Sequence, residues 1–448
     1  MKQTYRLTAT CYLIEENENT ADHNAYLAYF PLQSIVFRVN AYAGTLLKVL
    51  QKEPLIPQNA LESKFLEHLV ALGVANGSPE REPEHRHPER PTPIRTMLLT
   101  SDRCNLRCAY CYGAAGDSGD IMPMEIAEGA LSFLVENALA RKQPGIDISF
   151  HGGGEPTTNW RVLTGVVEKA EARCKETGLK LTSSICTNGV MAREKVAWIA
   201  AHIGTVVLSL DGPPDIHNAQ RPMTDGRPSF EKVAATLDYL KAVKKPFVLR
   251  MTATALLENR LVDAYRYLVY RFRPRAISVE PLFVCGRCHT SDAEMPNEAT
   301  FIDALSTMMR LSRTSGVPVQ YSGGRLNYLN DRFCGAAGNN FFVTPRGEVT
   351  SCVEVSHAAD PRSEMFVYGN YTAETGRFAF NLDRYRKLTT LNVHTFDECR
   401  DCFARWHCAG DCPAKARDLT EARNPFRCRI NRAVLKQQLL QQLDRFSV

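Results

Sequence analysis

The 448-residue sequence has no long hydrophobic run. No uninterrupted apolar stretch approaches the roughly 20 residues that a membrane-crossing helix needs, so no membrane partner is expected. Nor is the amino terminus, Met1-Lys2-Gln3-Thr4-Tyr5-Arg6, followed by the apolar segment of a secretion signal. A cytoplasmic location is expected. Charge of one sign is scarce too. A net charge of +5, spread along the chain, is weak ground for nucleic-acid binding, and no such partner is expected. Apolar residues are missing altogether from Gly77 to Pro93 (GSPEREPEHRHPERPTP). A stretch of that composition buries no core and reads as a linker stiffened by its prolines, with His85 and His87 solvated rather than metal-bound.

What remains is ordinary in bulk, 44% hydrophobic and 23% charged, in a length that suits roughly two to four domains. The fifteen cysteines are the exception. Without an export signal they point to metal or redox chemistry rather than to disulfides. Ten fall into ordered patterns, and Cys11, Cys174, Cys186, Cys285 and Cys288 do not.

The densest pattern is Cys104-Asn105-Leu106-Arg107-Cys108-Ala109-Tyr110-Cys111, directly after the apolar run Thr96-Met97-Leu98-Leu99-Thr100. Three thiols in C-x3-C-x2-C spacing suit an iron–sulfur cluster held at three of four irons, which leaves one iron open to a small molecule. A zinc knuckle short of one ligand is the plainer alternative. At these residues the sequence resembles the radical S-adenosylmethionine (SAM) superfamily. That resemblance implies a [4Fe–4S] cluster on Cys104, Cys108 and Cys111 that chelates SAM, with Tyr110 near the adenine.

Residues 1–80 hold three strand-like runs, around 5–14, 26–30 and 34–39, then helical spacing over 41–51 and 61–72, with Asn40 at an N-cap position. Strands followed by helices in so short a segment resemble the winged-helix-like, PqqD-like peptide-recognition domain. This implies an α+β domain that binds the leader of a precursor peptide. A linker follows over 81–94.

From 95 to 300 short apolar strands (96–100, 146–150, 180–186, 206–210, 247–252, 276–280) alternate with amphipathic helices (124–140, 162–177, 194–202, 230–244, 258–270). Such repetition builds a parallel α/β sheet, and six strands are too few for a closed eight-stranded barrel. The resemblance implies a partial (β/α)6 TIM-type barrel. Candidate motifs follow successive strands. His151-Gly152-Gly153-Gly154-Glu155-Pro156 offers glycines that let backbone approach a ligand and a carboxylate that can accept from an ammonium. Cys186-Thr187-Asn188-Gly189 and Leu208-Ser209-Leu210-Asp211-Gly212-Pro213 come next, the latter leading into His217 and Arg221. By resemblance, Gly153, Gly154 and Glu155 hold the SAM amino group. Thr187 and Asn188 form a matching turn, Ser209 and Asp211 lie on the ribose side, and Arg221 clamps the carboxylate. Cys285-Gly286-Arg287-Cys288-His289 could bind metal, cycle as a dithiol, or be structural.

Past a bridging region, 301–333, residues 334–448 carry Cys334, Cys352, Cys399, Cys402, Cys408, Cys412 and Cys428. The order resembles the SPASM extension. It implies two auxiliary [4Fe–4S] clusters, an outer one on Cys399, Cys402, Cys408 and Cys428 and an inner one on Cys334, Cys352 and Cys412. The fourth inner ligand is left open between a substrate thiolate, Cys285 and Cys288, since 320–333 contain no cysteine. The tail, 430–443, reads as an ordinary packing helix.

Together the resemblances imply a radical SAM/SPASM maturase of a ribosomally made peptide, with three clusters and an external one-electron reductant (flavodoxin or ferredoxin). Its product would be a thioether, carbon–carbon or carbon–oxygen cross-link. A sulfatase maturase is the alternative. That group carries an aspartate directly after the position of Cys352, where this chain has Val353 and then Glu354. A non-catalytic iron–sulfur carrier is the rival outside enzymes, and it would not need the SAM-binding turns.

Overall fold

The computed structural model describes residues 3–16, 25–85, 88–117, 119–357, 359–415 and 425–444; His87 lies outside them. Three antiparallel strands open the chain: β1 (Tyr12–Glu15), β2 (Ala25–Phe30) and β3 (Ile35–Asn40), in the order β1-β2-β3. Asn40 caps the helix Ala41–Leu50 by accepting from the Ala43 N–H, and Asn59 caps Ala60–Ala71 through the Glu62 N–H. One sheet face and these helices bury Tyr5, Phe30, Leu47, Leu66 and Leu69. The other face sets Ile14, Leu27 and Tyr29 against Leu439. The amino-terminal unit therefore has its own core but also covers the carboxy-terminal helix. The linker is pinned as well. The His85 N–H and ring Nδ1 each lie 3.1 Å from an Asp331 carboxylate oxygen, while the ring stays exposed, as the solvated reading expects.

All six expected barrel strands form: β4 (Arg95–Leu98), β5 (Gly145–Phe150), β6 (Lys180–Thr187), β7 (Thr205–Ser209), β8 (Phe247–Ala253) and β9 (Ala276–Pro281). They pair in parallel in chain order. Side chains alternate across the sheet. Ile148, Ile185, Leu208, Leu249 and Ile277 are buried beneath the helices, while Ser149, Cys186, Arg250 and Ser278 face an interior cavity of about 480 Å³.

The sheet does not stop at six strands. β10 (Val319–Gln320) adds in parallel to β9, and β11 (Phe342–Val343) adds in parallel to β4. β12 (Glu348–Thr350), β13 (Val367–Thr372) and β14 (Arg377–Phe380) then continue antiparallel, giving eleven strands. The cysteine-rich half thus grows out of the barrel edge. Part of the region read as a bridge is a long helix, Glu298–Ser315. The last helix, Pro425–Leu443, starts earlier than expected. It also does more than pack: Arg427 and Asn431 reach into the cysteine-rich half.

Candidate active site

The three-thiol loop leaves β4 and is held by main chain on one side. Arg107 N–H donates to Pro222 O at 2.8 Å and Ala109 N–H to Gln220 O at 2.9 Å. Donors converge on sulfur. Leu106 N–H lies 3.4 Å and Asn188 Nδ2 3.7 Å from Cys104 Sγ, Ala115 N–H lies 3.3 Å from Cys111 Sγ, and Arg221 Nη1 lies 3.9 Å from Cys108 Sγ.

A segment that sequence reasoning left ambiguous closes the other side. Arg287 donates to Cys108 O at 3.1 Å and Ala115 O at 2.7 Å, and its own N–H donates to Cys111 O at 2.9 Å. Gly286, at φ +53°, packs so tightly that a Cβ would sit 2.3 Å from Tyr112 O. Cys288 is buried beside Tyr110 and Leu282, and Cys285 donates to Phe283 O at 3.4 Å. Burial pushes the Cys285 thiol up to about 12. The Cys285–His289 segment is a clamp on the loop.

The motif residues after β5, β6 and β7 are brought to this loop, where several of them also find protein partners. Glu155 is buried. Its oxygens accept from Thr157 Oγ1 (2.8 Å), Thr187 Oγ1 (2.7 Å) and the Asn188 N–H (2.8 Å), so it braces the next turn. Gly154 is closely packed, since a Cβ there would lie 2.2 Å from Arg103 O. Gly153 likewise packs against the Asp102 carboxylate. Asn188 ties its turn to the loop through Asn105 Oδ1 at 2.7 Å.

Asp211, expected beside a ribose, is 0% exposed. It accepts from Arg221 Nε (2.8 Å), Gln220 Nε2 (2.8 Å), the Thr252 N–H (3.0 Å) and the Tyr110 hydroxyl. Burial alone raises its carboxyl; Arg221, with His217 and Tyr110, outweighs burial and holds it below the usual range. Arg221 spends Nε and Nη2 on Asp211 and stacks over Tyr110, 5.1 Å from the ring centre. Ser209 ends β7 in register with Arg250.

The carboxy-terminal thiols form two electrostatic groups. Cys352 feels Cys412 and Cys334, whereas Cys408 feels Cys428 and Cys402. Cys399 opens the turn that leads to Cys402. Between the groups runs a buried fork, Arg427 Nε at 2.8 Å and Nη2 at 2.9 Å from the Asp411 oxygens. Asn431 Nδ2 lies 3.2 Å from Cys408 Sγ.

The donor chemistry fits iron–sulfur clusters. Burial pushes the Cys104 thiol up to about 12 and the Cys108 thiol up to about 11, so as thiolates these sulfurs require a cationic group among them. Among the described residues no three His, Cys, Asp or Glu side chains converge as ligands of one ion.

Residues 98–260 match the Radical SAM superfamily. The chain carries a radical SAM domain. Its relatives are SAM-dependent enzymes, which removes the carrier alternative. A cysteine-type anaerobic sulfatase-maturating enzyme of Clostridium perfringens is 24% identical over 352 residues, 73% of this chain and 91% of that protein. The radical SAM cyclopropyl synthase TigE of Paramaledivibacter caminithermalis is 23% identical over 338 residues, 70% of this chain and 67% of that protein. In fold, anSMEcpe with bound AdoMet superposes with TM-score 0.61 at 19% identity, over 79% of this chain and 98% of its own. SuiB of Streptococcus suis bound to S-adenosylmethionine reaches TM-score 0.53 at 13% identity, over 94% of this chain and 99% of its own.

Beside the radical SAM domain stands a bridge that no local motif announces. Arg346, from the β11–β12 turn, reaches Asp102 at 3.1 Å, Asp120 at 2.7 Å and Glu348 at 3.1 Å. Like Arg287, it has partners more than a hundred residues away, and no spacing signal encodes them.

Proposed function

We propose that this protein modifies a ribosomally made precursor peptide. Cys104, Cys108 and Cys111 would hold the SAM-binding [4Fe–4S] cluster, with Cys334, Cys352 and Cys412 on an inner auxiliary cluster and Cys399, Cys402, Cys408 and Cys428 on an outer one. When bound, cluster and SAM supply a 5′-deoxyadenosyl radical that removes hydrogen from the peptide, with the electron delivered by a flavodoxin or ferredoxin. The chain's part is orientation and exclusion of water. Asn188, Arg221 and Arg287 fix the loop, and the Tyr110–Asp211–Arg221 stack forms a rigid wall. Ser209 and the Nη1 edge of Arg221, beside the Cys108 sulfur, are left to meet SAM. The peptide would lie in the barrel cavity, capped by the cysteine-rich half, and the product would be an oxidative cross-link.

The observation that supports the peptide reading is the amino-terminal unit, a three-stranded sheet and helix pair docked on the cysteine-rich half. Tyr29 of β2 hydrogen-bonds His407, beside Cys408. The outer edge of β3 pairs with no strand among the described residues, and an extended leader could add there by backbone hydrogen bonds. Removing this unit would uncover Leu439, so full-length protein is the right material for a test. Incubation without oxygen with SAM, a one-electron reductant and candidate short peptides from open reading frames neighbouring the gene should change the mass of one of them in a SAM-dependent way. Turnover of a sulfatase-derived Cys or Ser peptide in its place would support the sulfatase-maturase alternative.

A further inference from the structure

The barrel cavity holds one cation that the protein leaves without a counter-ion. Arg250 stands in the middle of β8, half-buried, on the cavity wall. Its one hydrogen-bond partner among the described residues is His151 Nε2, 3.1 Å from Nη1. A guanidinium only donates, so Nε2 accepts and the ring proton sits on Nδ1, 3.3 Å from the Tyr112 hydroxyl. His151 thus gives Arg250 a hydrogen bond and no countercharge. Arg250 Nε and Nη2 have no partner among the described residues and stay open.

The other charges of the cavity are matched within the protein. Lys415 Nζ lies 3.4 Å from Glu354, Arg427 Nε lies 2.8 Å from Asp411, and Glu280 accepts from the Ser322 N–H and Oγ at 2.8 and 2.9 Å. A guanidinium drawn partly out of water without an anion beside it is unfavourable until a ligand supplies one.

Strand register adds further polar groups. Ser209, Arg250, Ser278 and Gln320 stand side by side on β7, β8, β9 and β10. Neighbours in register share one face of the sheet, about 4.8 Å apart. The cavity runs from this row to Phe333 and Cys412 of the cysteine-rich half, and none of Cys104, Cys108 and Cys111 lines it.

We propose that Arg250 is the carboxylate-binding group of this cavity, and that the peptide segment held there carries a carboxylate, either an acidic side chain or the chain end. The ligand rests on the peptide reading; the anion site does not. Nε and Nη2 are the two parallel donors that take both oxygens of one carboxylate. Ser278 and Gln320 donate beside them. SAM brings a single carboxylate, which falls to Arg221 in the site above, so Arg250 is left for the peptide. A carboxylate anchored on Arg250 sets the neighbouring peptide residue against Ser209, where SAM is met.

The test treats full-length, cluster-loaded protein with phenylglyoxal, without oxygen, and reads the labelling rate at each arginine by mass spectrometry. Arg250 should label. Acetyl-glutamate methylamide, with a side-chain carboxylate, or acetyl-alanine, with a chain-end carboxylate, should slow that labelling severalfold, and the more protective of the two names the source. The uncharged acetyl-glutamine methylamide should leave the rate as it was. No labelling of Arg250, protection by neither carboxylate, equal protection by the glutamine compound, or protection by SAM alone as complete as by the carboxylates overturns the anion site. No precursor peptide or turnover enters this measurement, so its failure leaves peptide modification standing. With a peptide that the protein modifies, Arg250→Gln should raise KM about tenfold or more, and Arg250→Lys, which keeps the charge without the fork, should raise it less. Converting the peptide's carboxylate to its amide should raise the wild-type KM by the same factor and that of Arg250→Gln hardly at all. A wild-type protein indifferent to the amide overturns the peptide's part.

Discussion

The two thiol-rich regions are held in different ways. Around Cys104, Cys108 and Cys111 the protein supplies nearly everything: main-chain bonds to Gln220 and Pro222, the Arg287 clamp, and the Asp211–Arg221 pair. That loop stands on a parallel sheet whose core is buried without any cofactor. Around Cys399, Cys402, Cys408 and Cys412 the chain runs through short 3-10 turns and a four-residue helix, Arg405–Cys408. Order there depends on the Arg427–Asp411 fork and on whatever the thiols bind. On the proposed reading, the barrel site is built before its cofactor, and the cysteine-rich region would be built partly by clusters on its thiols.

Stripping the iron would break this comparison most severely. With chelator, amides in 396–415 should lose hydrogen-exchange protection by several kcal/mol while β4 to β9 keep theirs. Equal loss in both regions would contradict the distinction.

The next effect is on the built side. Arg221→Ala leaves the Asp211 carboxylate buried and unpaired, which should cost about 3–5 kcal/mol. Paired Asp211→Asn and Arg221→Gln changes should cost less than the single change. Thermal unfolding checks both, and a single variant as stable as wild type would refute the bracing role.

Acid should loosen the same brace. Burial holds His217 down at about 4, against an ordinary 6.5, so between those values the unfolded chain binds the extra proton. This contribution is complete above about pH 6.5 and is lost as pH falls toward 4, to a total of about 3 kcal/mol. His217→Asn should flatten the dependence of Tm on pH in that window.

Smaller still, Gly286→Ala adds a Cβ against Tyr112 O at positive φ and should cost about 1–3 kcal/mol locally. Faster exchange confined to 104–116 would show it, whereas unchanged exchange there would remove the clamp.

How much of this is legible in the sequence follows the same divide. The three-thiol loop, the six strands and the turns after β5, β6 and β7 announce themselves through local spacing and period, and all appear near the expected positions. What spacing cannot carry is partnership across the chain. Asp211 and Glu155 read as ligand contacts from their turns alone, and the protein partners that also hold both carboxylates come from neighbouring elements that no spacing announces. Arg287, Arg346 and Arg427 were invisible as braces, since an arginine gives no hint of a carbonyl or carboxylate far off in sequence. β11 is two residues long, too short for any period, so the extension of the sheet past β4 was missed.

The central claim, chemistry on the loop after β4 with auxiliary clusters beside it, is tested most directly by iron, sulfide and 5′-deoxyadenosine measured together on protein prepared without oxygen. Wild type should hold about 12 irons, three clusters of four, with matching sulfide, and should cleave SAM when reduced. Changing Cys104, Cys108 and Cys111 together to Ala should remove about a third of the iron and all cleavage. Protein with zinc and no sulfide, or a triple variant that still cleaves SAM at the wild-type rate, would contradict the account.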